Sequence, residues 1–417
     1  MTMAHGVREV LASVKGLLTG GGAFIVGNSL LGVLLPLRME AAGYSVALTG
    51  TIMAAYYLGL AFGGLHAKRL ILRIGHIRAF AVFAALTTVT TLVYSQAFTL
   101  TVWFILRIFN GFCIAGLSTA IESWLNERSN NATRGRILGL YMLTFYLAVA
   151  TGQTLVNLAN IDGSELFILS ACLIGLSLIP VALTSLNEPD LKQHRPLRTI
   201  DLYAASPDGF FGAGVAGLLV GSFYALGVVF ARRIGLDVSD AALFMSVVVL
   251  GGLAFQLPVG ILADRYDRRV VLAGALLMVG ACWGLLARSI VVGSSFYALL
   301  VLAIGFGGAM SSVYPICVAE TFDRLERKHY VAAAGRLLMV YSIGATVGPL
   351  LASVLMALYG PYSFFAFESA VAVSFAVFLL LRIRRQSPLP ADQQEMFVAV
   401  PDTTPVAIAL DPRTDPD

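Results

Sequence analysis

From the amino terminus onward, the chain alternates long apolar runs with short polar breaks. A helix needs about 20 apolar residues to cross the hydrocarbon core of a bilayer. Runs of that length centre near residues 27, 55, 88, 111, 148 and 176, and again near 220, 252, 279, 304, 345 and 372. Most hold no charge. They predict an all-α membrane protein of twelve transmembrane helices with both termini on one side. The first run, from about Leu17 to Leu37, is long enough to span and lacks a small-residue cleavage site, so it reads as the first helix and not as a signal peptide.

Composition supports this pattern. Hydrophobic residues make up 58% of the 417 and charged residues 12%, with a mean hydropathy of +0.82. Soluble globular chains carry about a quarter charged residues, so most of this surface has to face lipid. A formal net charge of +4 gives no argument for nucleic acid. Cys113, Cys172, Cys282 and Cys317 all fall in apolar stretches without paired spacing, which reads as buried or lipid-facing residues and not as a metal site or disulfide framework.

The distribution of charge sets the orientation. With the amino terminus inside, the cytoplasmic segments hold Lys68, Arg69, Arg73, Arg78, Arg128, Arg134, Arg136, Lys192, Arg195 and Arg198 in the first half and linker. The second half adds Arg265, Arg268, Arg269, Arg324, Arg327, Lys328, Arg336, Arg382, Arg384 and Arg385, whereas the outer loops hold Arg38, Arg232, Arg233 and Arg288. The positive-inside rule then places both termini in the cytoplasm. The expected organisation is a short cytoplasmic segment (1–16), a six-helix bundle (17–187), a charged and proline-containing cytoplasmic linker (188–207), a second six-helix bundle (208–385) and a tail (386–417). That tail is rich in Pro, Asp, Thr and Gln and has no helical period, so it is expected to be a disordered cytoplasmic segment.

The two bundles repeat one another. Gly135-Arg136-Ile137-Leu138 followed by Tyr141 is answered by Gly335-Arg336-Leu337-Leu338 followed by Tyr341. Glu122-Ser123-Trp124 ends the fourth span as Glu320-Thr321-Phe322 ends the tenth, and Arg73 and Arg78 flank the loop after the second span as Arg265 and Arg269 do after the eighth. Six spans repeated at about 200 residues point to paired bundles around a midplane cavity.

The densest motif is Gly260-Ile261-Leu262-Ala263-Asp264-Arg265-Tyr266-Asp267-Arg268-Arg269. It resembles the loop signature of the major facilitator superfamily, except that Asp267 stands where that family usually has Gly. The resemblance runs from about residue 17 to 385. It implies a latch in which Gly260 lets helices approach, Asp264 sits near a helix amino terminus, and Arg265, Arg268 and Arg269 meet carboxylates such as Glu320. A topogenic basic loop is the simpler alternative. In the first half, Gly64-Leu65-His66-Ala67-Lys68-Arg69 lacks the aspartate, so a latch there would rest on Arg73 or Arg78 meeting Glu122. Glu122-Ser123-Trp124-Leu125-Asn126-Glu127, Asn131-Ala132-Thr133-Arg134-Gly135-Arg136, Gln256-Leu257-Pro258-Val259-Gly260 and Tyr341-Ser342-Ile343-Gly344 are similar, more narrowly, to the YcaD-like branch, whose members are bacterial inner-membrane proteins.

A charge inside a span needs water or a partner. Arg107, in Leu106-Arg107-Ile108-Phe109-Asn110-Gly111, is read either as a cavity charge for anion binding or proton coupling, or as a snorkelling arginine with a structural bond. Glu368, inside the twelfth span, reads equally as a proton carrier or as a wetted outer residue. Polar residues within spans give the cavity candidates Asn28, Tyr56, Tyr57, Asn110, Tyr146, Gln153, Asn157, Tyr224, Gln256 and Tyr314. In the resembled family helices one, four, seven and ten line the cavity, which singles out Asn28, Asn110, Tyr224 and Tyr314. Gly344-Ala345-Thr346-Val347-Gly348-Pro349 reads as close helix packing through small residues.

No nucleotide-binding loop, metal spacing or hydrolase elbow is present in the sequence. The expectation is therefore a non-enzymatic, cofactor-free secondary transporter of the inner membrane, monomeric, moving a small solute by alternating access with proton coupling. Export or flipping of amphipathic, lipid-like compounds is one alternative, and a non-transporting membrane sensor or scaffold is another.

Overall fold

The computed structural model describes residues 2–96, 99–129, 133–183, 197–293, 295–385 and 394–414. Among them, twelve helices are long and apolar enough to cross a membrane. In the first half these are α1 (Val14–Ala41), α2 (Val46–Ile74), α3 (His76–Gln96), α4 (Leu100–Glu127), α5 (Arg134–Leu158) and α6 (Glu165–Ala182). The second half contains α7 (Pro207–Arg233), α8 (Val238–Arg265), α9 (Arg268–Ser289), α10 (Phe296–Phe322), α11 (Arg327–Tyr359) and α12 (Tyr362–Ile383). The first helix begins at Thr2, so its span continues a helix that starts well before the apolar run.

Local chemistry fixes several of these boundaries. Ser45, Ser206 and Asp237 accept backbone N–H bonds at the starts of α2, α7 and α8, where the first turn has no intrahelical acceptors. Pro207 follows Ser206 at the first helical position, where a missing N–H costs nothing. Gly75 ends α2 at φ +86°, a conformation that favours glycine, so α3 can begin at the next residue. Of the expected linker, residues 188–196 lie outside the described residues, and a short helix over Thr199–Ala205 leads into α7.

The halves are built alike. In the first, α1 packs on α5, α2 on α4 and α3 on α6; in the second, α7 packs on α11, α8 on α10 and α9 on α12. Lipid supplies no hydrophobic drive between helices, so close backbone approach through small residues has to hold them. A Cβ on Gly59 would stand 2.0 Å from the Ile108 carbonyl oxygen and one on Gly111 2.0 Å from that of Tyr56. The repeat reproduces this at Gly251 and Gly307, whose Cβ atoms would meet the carbonyl oxygens of Ile304 at 2.3 Å and Val248 at 1.9 Å. Gly344 and Gly348 lie against the α7 backbone at Gly214 and Leu218, as close packing requires. Outward faces carry large apolar side chains such as Phe62, Phe109, Leu257 and Val301.

The halves meet through α2 with α11 and α5 with α8, two seams related by the repeat. At the end poor in basic residues they touch directly. Arg233 of α7 pairs with Glu40 of α1 at 2.9 Å, and Gly50 of α2 lies against Ser353 and the Pro349 carbonyl of α11. Near the middle, Ser246 of α8 donates to the Ala150 carbonyl of α5 at 3.0 Å. At the basic end the arrangement differs, because residues 394–414 lie between the halves. Over this stretch the structure departs from the expected disordered tail, of which residues 386–393 and 415–417 lie outside the described residues. Val400, Ala407, Ile408 and Leu410 of that stretch are buried, which supplies the apolar contact that composition alone did not suggest.

Candidate functional site

A cavity of about 210 Å³ lies between the halves. Its walls come from α1, α2, α4 and α5 on one side and α7, α8, α10 and α11 on the other. Asn28, Arg107, Tyr224 and Tyr314, four of the sequence candidates, all line it. The structure adds Tyr56, Tyr57, Tyr146 and Gln153, which the polar-residue pattern had marked more loosely, and Ser118, Ser311 and Tyr341, which it had not marked as cavity residues.

Among the described residues, Arg107 is the one lysine or arginine in this lining. It is 4% exposed, and its guanidinium lies over the Tyr56 ring at 4.7 Å. A cation over an aromatic face gains electrostatic attraction without losing its charge. Its Nε has no hydrogen-bond partner, and among the described residues no carboxylate pairs with it. Asn28 Nδ2 donates to the Tyr56 hydroxyl at 3.5 Å, so Tyr56 links α1 and α4 across α2. Asn28 Oδ1 and Gln153 Oε1 are also unpartnered and buried. Polar atoms left unpaired in a buried wall are costly unless something in the cavity meets them.

Three expected cavity residues fall elsewhere. Gln256 stands behind the lining and reaches it by donating to the Tyr146 hydroxyl at 2.9 Å. Asn110 is fully buried in α4 and outside the lining, with both side-chain polar atoms unpaired. Glu368 is fully buried in α12, among neither the cavity residues nor the wetted ones. α12 packs mainly on α9.

The latch residues are rearranged relative to expectation. Arg268 pairs with Asp323 at 2.9 Å, both side chains almost wholly buried, and Arg269 pairs with Asp267 of its own loop at 2.7 Å. Glu320 is held by Arg324, one helical turn on, at 2.7 Å. The Asp323 carboxyl is pushed above its ordinary range, because burial outweighs the nearby Arg268 and the Glu395 backbone N–H. Asp264 accepts from the backbone N–H of Phe397 at 2.6 Å, and a Cβ on Gly260 would meet the Phe397 ring at 3.0 Å. That glycine is thus covered by the tail and not by another helix. Arg265 is exposed and has no ion pair among the described residues.

In the first half, Arg73 and Arg78 are exposed and do not reach Glu122. Glu122 is fully buried in α4 and faces away from that loop. It accepts from the Tyr141 hydroxyl at 2.9 Å and from the hydroxyls of Thr403 and Thr404.

A bundle of two like halves, with twelve spans and a central chamber walled by both, is the architecture of a membrane transporter. The sequence profile of the Major Facilitator Superfamily matches residues 17–230 and 209–413, and the chain belongs to that family. It is 26% identical over 395 residues to an uncharacterized MFS-type transporter of Yersinia enterocolitica, covering 94% of this chain and 99% of the relative. It is also 25% identical over 381 residues to the uncharacterized MFS-type transporter YcaD of Salmonella arizonae, covering 90% and 97%. Among solved structures it resembles the nucleoside transporter NupG with a TM-score of 0.72 at 14% identity, over 89% of this chain and 99% of that one. A bacterial homologue of the lysosomal transporter Spinster, inward-facing and unoccupied, gives 0.68 at 14% identity over 90% and 95%. At that identity the likeness is one of fold. The protein is a multi-pass membrane transporter and not an enzyme.

Proposed function

We propose that this transporter carries a small anionic or zwitterionic solute by alternating access, coupled to protons, in a bacterial inner membrane with both termini in the cytoplasm. The observation that carries the reading is Arg107: a buried, unpaired guanidinium in a chamber whose helices contribute no carboxylate. Such a charge is satisfied by a solute that brings its own anion. Tyr56, Tyr57, Tyr224 and Tyr314 offer hydroxyls and ring faces to the rest of it, while Asn28 and Gln153 offer unpaired acceptors to a donor group. The latch residues Asp264, Arg268, Arg269 and Glu320 hold the basic end during part of the cycle.

The test is thermal unfolding of the purified protein against a panel of carboxylates and amino acids. A ligand at 100 times its Kd raises stability by about 2.7 kcal/mol. A selective anion that shifts the midpoint in the parent and not in Arg107→Ala supports the reading. Shifts that survive the substitution take Arg107 out of solute recognition.

A second reading has its own observation. A separate cavity of about 330 Å³ lies between α2 and α11 at the basic end, lined by Leu60, Leu65, Lys68, Val331, Arg336 and Met339 among others. Walls of mixed polarity with two basic residues suit an amphipathic anion entering sideways from the bilayer. Protection by anionic lipids with none by soluble anions would favour it.

A further inference from the structure

The segment from Gln394 to Thr414 touches both halves at the basic end. On the second half, the Glu395 backbone N–H donates to Asp323 Oδ1 at 3.0 Å, Arg268 donates to the Glu395 carbonyl, and Arg327 pairs with the Glu395 carboxylate at 3.0 Å. Phe397 then binds Asp264 through its N–H and covers Gly260 with its ring. Beyond it, Val400, Pro401, Asp402 and Thr403 enter the central cavity and form part of its lining. Asp402 accepts a hydrogen bond from the Tyr341 hydroxyl. Thr403 and Thr404 donate to the two oxygens of Glu122 in the first half. The chain closes on itself through Arg413, which pairs with Asp411, donates to the Met396 carbonyl at 3.0 Å and lies over the Phe322 ring at 5.3 Å.

We infer that residues 394–414 are a tethered plug: the Pro401–Thr403 tip sits where solute would enter from the basic end, while Glu395, Phe397 and Thr404 anchor it to both halves. Three features give it the character of a docked ligand. It is held by hydrogen bonds from two independent bundles, so no single-bundle motion preserves them all. Its tip places a carboxylate and a hydroxyl in a chamber whose helices supply hydroxyls, amides and one guanidinium. Its buried residues Val400, Ala407, Ile408 and Leu410 would face water if it left, which gives the docked state a driving force. Solute from the basic end reaches Tyr341 after the tip withdraws, and the halves cannot close together at this end while the segment lies between them. The tail thereby sets the fraction of molecules competent to load.

The experiment reads cavity access and needs no solute, so it stands or falls apart from the transport reading above. In the full chain, Cys113, Cys172, Cys282 and Cys317 are replaced by Ala, and Ser311→Cys is introduced as a reporter in the cavity lining. A second protein carries Ala42→Cys in the exposed turn after α1 at the opposite end. Each is labelled with a charged, membrane-impermeant maleimide, with and without residues 394–417. Removal of a plug raises the competent fraction, so Ser311→Cys labelling should accelerate at least about tenfold while Ala42→Cys stays unchanged. Equal Ser311→Cys rates would overturn the proposal, and so would an equal acceleration at both sites, which reports general loosening. In the full chain, Glu122→Cys with Thr404→Cys should form an oxidative cross-link that returns Ser311→Cys to slow labelling until it is reduced. A cross-link that forms and leaves labelling fast would also overturn the plug.

Discussion

The loops after α2 and α8 descend from one repeat unit, yet they now do different things. After α8, Asp264 binds the tail backbone, Arg268 is buried on Asp323, and Arg269 folds onto Asp267. After α2, the aspartate is replaced by Lys68, and Arg73 and Arg78 stand exposed. Both loops carry basic charge at the same end of the molecule, so charge alone does not explain the difference. What separates them is the presence of carboxylates that the arginines can reach. The second half supplies Asp323 to Arg268 and Asp267 to Arg269; the first half supplies Glu122, which faces inward to Tyr141 and the tail. A basic loop becomes a structural latch when it has buried acids to hold, and otherwise remains a topological marker.

That comparison is sharpest at the arginines. Arg268→Ala leaves Asp323 buried without its partner, a loss of about 3–5 kcal/mol, seen as a large drop in unfolding midpoint. Arg73→Ala in the matching loop should shift stability by no more than about 0.5 kcal/mol. Comparable losses at both positions would mean that the first-half loop also holds a buried acid.

The glycines give a smaller effect. Gly260→Leu forces its side chain into Phe397 and should cost about 1–3 kcal/mol by overpacking. At Gly64, the matching position, a Cβ meets nothing within 4 Å. Gly64→Leu should therefore leave cavity labelling unchanged, whereas Gly260→Leu accelerates it. If the two behave alike, Phe397 does not cover Gly260 in the membrane.

The smallest effect is pH-dependent. Burial raises the Asp402 carboxyl above its ordinary 3.8, against the lowering hydrogen bond from Tyr341. A group whose pKa is raised on docking favours the docked state fully below its free value and loses that contribution as pH rises through the docked value. Docking should thus weaken modestly between about pH 4 and the raised value. Spin labels at Ala42→Cys and Pro405→Cys would report the docked fraction by distance. Glu122 faces the same segment through the hydroxyls of Thr403 and Thr404, so Asp402→Asn should remove the Asp402 share and leave any remainder to other groups.

Much of the fold was legible because long uncharged runs admit few structures other than membrane helices, and the repeat was written in charges and glycines as well as in apolar residues. The cavity was partly legible. Asn28, Arg107, Tyr224 and Tyr314 followed from combining in-span polarity with the helices that face inward in the resembled family. Tyr341 escaped because its obvious role was as a repeat marker, and it lies on α11. Asn110 and Glu368 misled because polarity within a span does not say which way the side chain points. Asp323 escaped because Glu320 is the acid that answers Glu122 in the repeat, whereas Asp323, three residues further on, is its neighbour on the same helix face. The tail escaped most fully. Phe397, Val398, Val400, Val406, Ala407, Ile408 and Leu410 recur without a helical or strand period between prolines and aspartates, so their apolar surface was hidden by the polar average.

The paired glycines of each half carry a mechanical consequence. Gly59 with Gly111, and Gly251 with Gly307, bring backbone against backbone with no side chain between them to yield. Helices in such contact cannot slide or shear past one another by much without collision, so α2 with α4 and α8 with α10 behave as stiff beams. Compliance is left to the seam of α5 with α8, where a serine hydroxyl and a glutamine side chain form the joint, and to the basic end, where the tail lies between the halves. Each half is then a lever, and the close contact of Gly50 on Ser353 and the Pro349 carbonyl sets the fulcrum between them at the end away from the tail.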